Sequence, residues 1–402
     1  MRPRSQLLLG LTYLLVCLAT GVSLEHSKRV LPEKLLVAYP GHSKCGPLVQ
    51  EAIDRGVNVI AWSKGNLLLD DSGEPYVVVG PDVDCVLGIA NNNTNVVQLL
   101  SLGGWDTPHP NTTCDGARYY GAWKDWNESI QRADGTPLFD GFDWDLEGND
   151  DTASPDNVFT VDVLDIMGVM SQLAKRDGYF VALAPAESYL DPRAPVTEPS
   201  FNRSLLLTYP SWERQFKEDL GANYTYPFFA YHGRNSWAFL LAAYGGLGPG
   251  RTFDFASIQV YESYSHFGYD LQVLGMSVSQ AIISAVQPYL ENYWVDFSTD
   301  DSPRVASLGK QKISIPHEGL VVGFIAYSGN PRQEIPRSYP YAKGVTFMPT
   351  DDDSVQSAYK ELEMKGTPPR GFMYWCILDE AGSTIPYYMS SGLATVMGLS
   401  NQ

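Results

Sequence analysis

One stretch of the chain decides its fold: FDGFDWDLEG, residues 139–148. Its hydrophobic character is nearly continuous, which is typical of a parallel strand buried on both faces. Side chains of a strand alternate between its two faces. Asp143, Asp145 and Glu147 therefore share one face, and the apolar residues between them share the other.

Seven more runs of this kind, each bounded by turn residues, lie at 35–41, 56–63, 96–104, 179–187, 255–264, 320–329 and 371–378. The spaces between runs leave room for crossover helices, and helical patterns occur at 154–178, 277–291 and 353–365. Eight buried strands alternating with helices predict an α/β fold, a (β/α)8 TIM barrel. A doubly wound parallel sheet is the alternative.

One connection is too long for a simple crossover. Residues 190–252, between the fifth and sixth strands, are rich in Tyr, Pro, Gly and Asn. We predict an insertion near the barrel mouth, where additions are tolerated and substrates are met. Because no linker or cysteine-rich appendage follows the last strand, we expect one barrel domain over residues 24–402.

The first 23 residues carry Arg2 and Arg4, an apolar core over 7–19 and small residues up to Ser23. This pattern predicts a signal peptide at 1–23 and a secreted protein. An uncleaved membrane anchor is the alternative, although the apolar core is shorter than the roughly 20 residues of a spanning helix.

Cysteines and glycosylation sequons agree with the secretory route. Four cysteines follow the predicted signal, Cys45, Cys85, Cys114 and Cys376, and an even number in an oxidising compartment suggests disulfides in any of three pairings. Their spacing lacks the close pairs of a zinc site, so no metal is expected. Candidate glycosylation sites are Asn92, Asn111, Asn127, Asn202 and Asn223.

The overall charge narrows the class of partner. The net charge of −18 arises without a long acidic run, which argues against nucleic acid and anionic membranes as partners. A neutral substrate is compatible with this charge. The 12% aromatic content supplies flat apolar faces on which sugar rings could stack.

In a barrel, the apolar face of the 139–148 strand must pack on helices, which sends the three carboxylates inward. They are spaced about 6.6 Å apart along the strand, with Glu147 at the C-terminal end, where barrel enzymes carry their chemistry. Burial and like charge predict a raised pKa that suits Glu147 as a general acid, with Asp145 beside it. A cation site or a solvated acidic edge is the alternative, but cation sites usually use Gly- or Asn-rich loops.

The run resembles the DGxDxDxE signature of glycoside hydrolase family 18, the chitinases and their relatives, at Asp140, Gly141, Asp143, Asp145 and Glu147. The third strand ends in SLGG, which resembles the SxGG element of that family and includes Gly103 and Gly104. Without this context, SxGG would indicate only a turn at the end of a strand.

Two looser matches extend the resemblance. IQVYESY places Gln259 and Tyr261 on one face of the sixth strand, and MYWCILD places Trp375 at the end of the eighth. Each residue alone would be interpreted as core packing. Glu262, where the family often has Asn or Asp, and Gly148, where some branches have Tyr, depart from the pattern.

The resemblance implies substrate-assisted hydrolysis with retention, in which the 2-acetamido group of the sugar is the nucleophile and no cofactor is needed. Glu147 would donate the proton, Asp145 would bind the acetamido N–H, Asp143 would share a proton with Asp145, and Tyr261 would position the acetamido oxygen. Asp140 would be structural. Substrate-binding candidates are Trp375, Gln259, Tyr39, Gly103, Gly104 and Trp105.

The implied substrate is a β-1,4-linked N-acetylglucosamine polymer, chitin or chito-oligosaccharides, cleaved by a monomeric protein. Two alternatives remain open. An endo-β-N-acetylglucosaminidase acting on N-glycans would use the same chemistry, and a sugar-binding lectin could be built on an inactive barrel.

Overall fold

The computed structural model describes residues 29–148, 154–194, 197–201, 233–261, 265–272, 274–326, 352–385 and 387–399. Within these ranges the strands are β1 (Leu35–Tyr39), β2 (Val59–Leu69), β3 (Pro75–Val79), β4 (Val97–Gly104), β5 (Gly141–Leu146), β6 (Phe180–Leu183), β7 (Phe255–Gln259), β8 (Tyr293–Asp296), β9 (Lys310–Ile313), β10 (Leu320–Ile325) and β11 (Gly371–Trp375).

Eight of these strands close into a parallel barrel. Their order is β1, β2, β4, β5, β6, β7, β10 and β11, and β11 pairs in parallel with β1 to complete the ring. All eight predicted strand runs form barrel strands, so the predicted TIM barrel is confirmed. The doubly wound sheet is wrong, because such a sheet has two open edges.

Helices of the described residues are α1 (Pro47–Asp54), α2 (Val83–Asn92), α3 (Gly116–Glu128), α4 (Val161–Arg176), α5 (Ala238–Tyr244), α6 (His266–Gln272), α7 (Val278–Leu290), α8 (Pro303–Ala306), α9 (Asp352–Met364), α10 (Ile377–Ala381) and α11 (Tyr388–Met397). The helix predicted from residue 154 begins only at Val161. Ser154 caps a short 3-10 turn, and Thr160 caps α4 by accepting from the N–H of Val163. No helix of the described part of the chain has the length and apolarity to cross a membrane.

Side-chain alternation along β5 follows the predicted pattern. Trp144 points outward and donates its indole N–H to Ser171 Oγ on α4 at 2.9 Å. Phe142 points the same way and meets Trp123 of α3 edge-on, with ring centroids 5.0 Å apart. The inner face of the barrel is a separate apolar cluster that includes Leu35, Val37, Val59, Ala61, Val97, Leu99, Phe255 and Met373.

Two antiparallel hairpins were not predicted. β2 continues beyond the barrel to Leu69 and pairs with β3, while β8 and β9 form a second hairpin between α7 and β10. The apolar run of β2 is interrupted by Lys64 and Gly65, which hid its continuation.

The predicted insertion, residues 190–252, lies between β6 and β7. Its described part contains α5, which packs on α4 and is the crossover helix of this barrel unit. Asn235 links the described segments 190–194 and 233–252 through hydrogen bonds with the backbone N–H and C=O of Asp191, at 2.7 and 3.0 Å. Residues 195–196 and 202–232, with two of the sequons, lie outside the described residues, as does the predicted signal peptide.

One disulfide joins Cys45, after β1, to Cys85 in α2. Cys114 and Cys376 are buried free thiols, so only one of the two disulfides expected from four cysteines forms. The expectation of a glycan at Asn127 is also wrong. That side chain is fully buried and exchanges two hydrogen bonds with the backbone of Phe139, at 2.8 and 3.0 Å.

Candidate active site

The three inward acids of the signature meet at the C-terminal end of β5. Asp143 and Asp145 are 2% and 3% exposed, and they lie opposite Ser101 and Gly103 of β4 in the strand register. Glu147 follows the last residue of the strand and is half-buried. It is therefore the outermost carboxylate of the three.

Asp143, the deepest acid, is held by two hydroxyl groups. Tyr39 of β1 donates to its Oδ2 at 2.5 Å, and Ser101 Oγ lies 3.2 Å from the same oxygen. Burial raises the pKa of Asp143 to about 6, although both hydrogen bonds favour its charged form. Tyr39 is 2% exposed, so its ring offers little face to a sugar and its hydroxyl holds Asp143 instead.

Asp145 and Glu147 form a hydrogen-bonded pair. Burial raises the pKa of Asp145 well above its usual value, and the charges of Glu147 and Asp143 raise it further. Burial also raises the pKa of Glu147, while hydrogen bonds from Asp145 and Gln259 oppose that shift. The cluster therefore keeps a proton to higher pH than isolated carboxyl groups do, as a general acid needs.

Gln259, at the end of β7, links the pair to a strand two places away around the barrel. Its Nε2 donates to Asp145 Oδ1 at 2.9 Å and to the carbonyl oxygen of Ala184 at 2.8 Å, and it lies 3.3 Å from Glu147 Oε1. An amide that bridges two carboxyl groups fixes their separation. Gln259 therefore orients the acids in the structure described.

Gly103 and Gly104 let the end of β4 approach its neighbours closely. Both have positive φ, 108° and 112°. A Cβ on Gly103 would lie 2.8 Å from the carbonyl oxygen of Asp145, and one on Gly104 would lie 3.1 Å from Lys64 Cε. The two glycines thus bring β4 against the carboxylate pair.

The remaining aromatic candidates surround the barrel mouth. Trp375 ends β11 half-buried, with its ring centroid 4.8 Å from that of His42 and 5.6 Å from that of Tyr39. Tyr261 lies just after β7 and packs, like Trp375, against the apolar cluster inside the barrel. Trp105 follows β4 and is half-buried.

Two residues of this site were not predicted from the sequence. His109 Nε2 lies 2.8 Å from the carbonyl oxygen of Glu147, and because a carbonyl only accepts, Nε2 carries the proton. Burial lowers the pKa of His109. The ring is therefore neutral when it donates to the backbone carbonyl of Glu147. Lys64, at the register shift in β2 between Trp62 and Gly65, is the second. Lys64 directly follows the apolar run 56–63, and a charged residue at that position was the signal in the sequence that could have identified it.

No protein-family model matches the chain, and no curated protein matches its sequence. Solved structures do resemble it. The C-terminal domain of ChiA from Legionella pneumophila aligns with a TM-score of 0.54 at 12% identity, covering 91% of this chain and 98% of that domain.

Other solved structures align with lower scores. A family 18 chitinase from Crocus vernus gives a TM-score of 0.47 at 14% identity, covering 91% of this chain and 100% of its own. The xylanase and α-amylase inhibitor protein XAIP-II from Scadoxus multiflorus gives 0.47 at 14% identity, covering 91% and 98%. At 12% identity, the likeness to the ChiA domain concerns the fold alone.

Proposed function

We propose that the protein is a retaining glycoside hydrolase that cleaves β-1,4-linked N-acetylglucosamine polymers by substrate-assisted catalysis. The observation that carries this proposal is the inward series at the mouth end of β5, in which Asp143 and Asp145 are buried and Asp145 is hydrogen-bonded to Glu147. The raised pKa of Glu147 supports a proton donor, and its half-buried position supports contact with a substrate.

In the proposed reaction, Glu147 protonates the glycosidic oxygen while the acetamido carbonyl oxygen of the same sugar attacks the anomeric carbon. The bond to the leaving sugar breaks, and a cyclic oxazolinium ion forms. Asp145 accepts a hydrogen bond from the acetamido N–H and stabilises the positive charge of that ring. Water, deprotonated by Glu147, then opens the ring at the anomeric carbon, which restores the acid and gives net retention.

The surrounding groups support this division of roles. Tyr39 and Ser101 hold Asp143 beneath the reacting pair, and Gln259 bridges Asp145 and Glu147. In our proposal Trp375 supplies an apolar floor for the sugar, and Tyr261 positions the acetamido oxygen. We further propose that the chain is a secreted glycoprotein that acts as a monomer after its signal peptide is removed.

The test compares two hexasaccharides that differ in the acetamido group. Wild-type protein is offered N-acetylchitohexaose and, as the matched control, cellohexaose, and NMR records the anomer first released. We expect cleavage of the first substrate alone, with release of the β-anomer. Cleavage of both substrates, or release of the α-anomer, would exclude substrate assistance.

A second experiment decides the polymer. The protein is incubated in parallel with colloidal chitin and with a high-mannose glycoprotein, and released sugars are identified by mass spectrometry. Soluble chito-oligosaccharides from chitin support the proposal, whereas glycans from the glycoprotein alone would indicate an endo-β-N-acetylglucosaminidase. Binding of chito-oligosaccharide without any turnover by the wild type would identify a lectin.

A further inference from the structure

Lys64 places a cation at the candidate active site. It lies where the pairing of β2 with β4 shifts register, between Trp62 and Gly65. Its half-buried side chain passes over Gly104, so that a Cβ on that glycine would lie 3.1 Å from Lys64 Cε and 3.6 Å from Asp145 Oδ2. The side chain of Lys64 and the carboxylate of Asp145 thus border the same small space.

A backbone acceptor holds the ammonium in this position. Lys64 Nζ donates to the carbonyl oxygen of Trp105, just after β4. An ammonium has three N–H donors, so this single bond tethers the group without neutralising it. Within the described residues Lys64 forms no ion pair, and it acts on the acids through its field.

The titratable groups that face Lys64 come from two sides. Asp145 and Glu147 face it from the end of β5, and the charge of Lys64 lowers the pKa of both. His42 faces it from the loop after β1. Burial first, and then Lys64, lowers the pKa of His42, whereas Asp379 raises it. His42 is therefore neutral above mildly acidic pH, and Lys64 is the cation of this group.

We propose that Lys64 is a positioning residue of the hydrolysis, whose tethered ammonium keeps one negative charge on the Asp145 and Glu147 pair when the other carboxyl is protonated. This inference rests on the proposed function. The reaction needs one proton on the pair, for the leaving oxygen, and one negative charge, for the oxazolinium ion. Burial alone drives protons onto both carboxyls, and a nearby cation opposes the second protonation.

The test is the pH profile of kcat/KM on N-acetylchitohexaose for the wild type, Lys64→Met and Lys64→Arg. Activity falls at acid pH when the pair binds a second proton and at alkaline pH when it loses the first. Lys64→Met removes the charge from a side chain of similar length, so both limbs move to higher pH by about one unit. Lys64→Arg keeps the charge and leaves both limbs within about a third of that shift.

A Lys64→Met profile with unmoved limbs overturns the inference, whether or not its maximal rate falls, because a merely structural role would lower the rate alone. Equal shifts in Lys64→Met and Lys64→Arg overturn it as well. Thermal unfolding of both variants confirms that each is folded at the pH values used.

A second readout separates this inference from the proposed function. The infrared carbonyl band of protonated carboxyls is followed from pH 3 to 9, and Glu147→Gln assigns the contribution of that residue. If the wild type hydrolyses nothing, the proposed function fails. In that case loss of the band at higher pH in Lys64→Met still supports the electrostatic role, and an unmoved titration still refutes it.

Discussion

The two ends of β5 carry acids in opposite electrostatic surroundings. Asp140, just before the strand, accepts a hydrogen bond from the backbone N–H of Gln98 at 2.8 Å and pairs with Arg132 at 3.0 Å and with Arg29 at 3.2 Å. At the other end, Asp143, Asp145 and Glu147 are held by hydroxyls, an amide and one another. Within the described part of the chain, none of these three forms an ion pair.

This difference shows what separates structural from reactive acids within one signature. A buried acid that pairs with cations ties elements together. Buried acids that form no ion pair retain protons and can transfer them, at a cost to stability. The following variants test the contrast from both ends of the strand.

The largest effect is expected at the mouth end. Glu147→Gln keeps the shape of the side chain but removes the transferable proton, so kcat on N-acetylchitohexaose should fall about 10³-fold. Asp140→Asn, at the opposite end, is the matched control and should keep kcat near the wild-type value. A fall of less than tenfold for Glu147→Gln would show that another group donates the proton.

The second largest effect is a loss of stability, expected when Asp140 is changed at the start of β5. Asp140→Ala leaves Arg132, whose side chain is 1% exposed, buried without its partner, so the free energy of unfolding should fall by about 3–5 kcal/mol. Urea denaturation followed by tryptophan fluorescence measures the loss. Glu147→Gln should not lower stability in the same experiment, and a loss of under about 1 kcal/mol for Asp140→Ala would contradict the structural role.

A smaller effect is expected in the pH dependence of stability. The pKa of Asp143 is raised to about 6 in the folded protein from 3.8. Its contribution to stability is therefore complete below about pH 4 and is lost as pH rises through about 6. This loss is on the order of 3 kcal/mol.

Asp143→Asn does not titrate, so it isolates this contribution. The wild-type minus variant difference in the free energy of unfolding should decrease between pH 4 and pH 7 in parallel urea titrations. A difference that is constant over this range would show that Asp143 titrates normally.

The smallest effect is a loss of activity, expected when the hydroxyl group of Tyr39 is removed. Tyr39→Phe removes the donor to Asp143 and should lower kcat/KM about tenfold, the value of one hydrogen bond to a charged group. Tyr293→Phe is the control, because the buried hydroxyl of Tyr293 has no partner in the described residues and lies on the β8–β9 hairpin. Equal losses of kcat/KM in the two variants would show that the hydroxyl of Tyr39 has no specific role in the site.

The barrel and the inward direction of the three acids could be predicted because both depend on local patterns. Apolar runs of strand length recur eight times, and alternation along β5 assigns each residue to a face. The β2–β3 hairpin was not predicted because Lys64 and Gly65 interrupt the apolar pattern of β2. The Cys45–Cys85 pairing and the burial of Asn127 depend on distances between separate elements, which residue spacing does not reveal.

The sequence by itself determined the barrel strands, their polarity and the order of the acids along β5, since each follows from periodicity within a few neighbouring residues. The tertiary structure decided which groups surround those acids. Tyr39 lies 104 residues from Asp143, and Gln259 lies 114 residues from Asp145. Barrel closure brings these strands together, and the resulting burial and hydrogen bonds determine which carboxyl groups keep a proton.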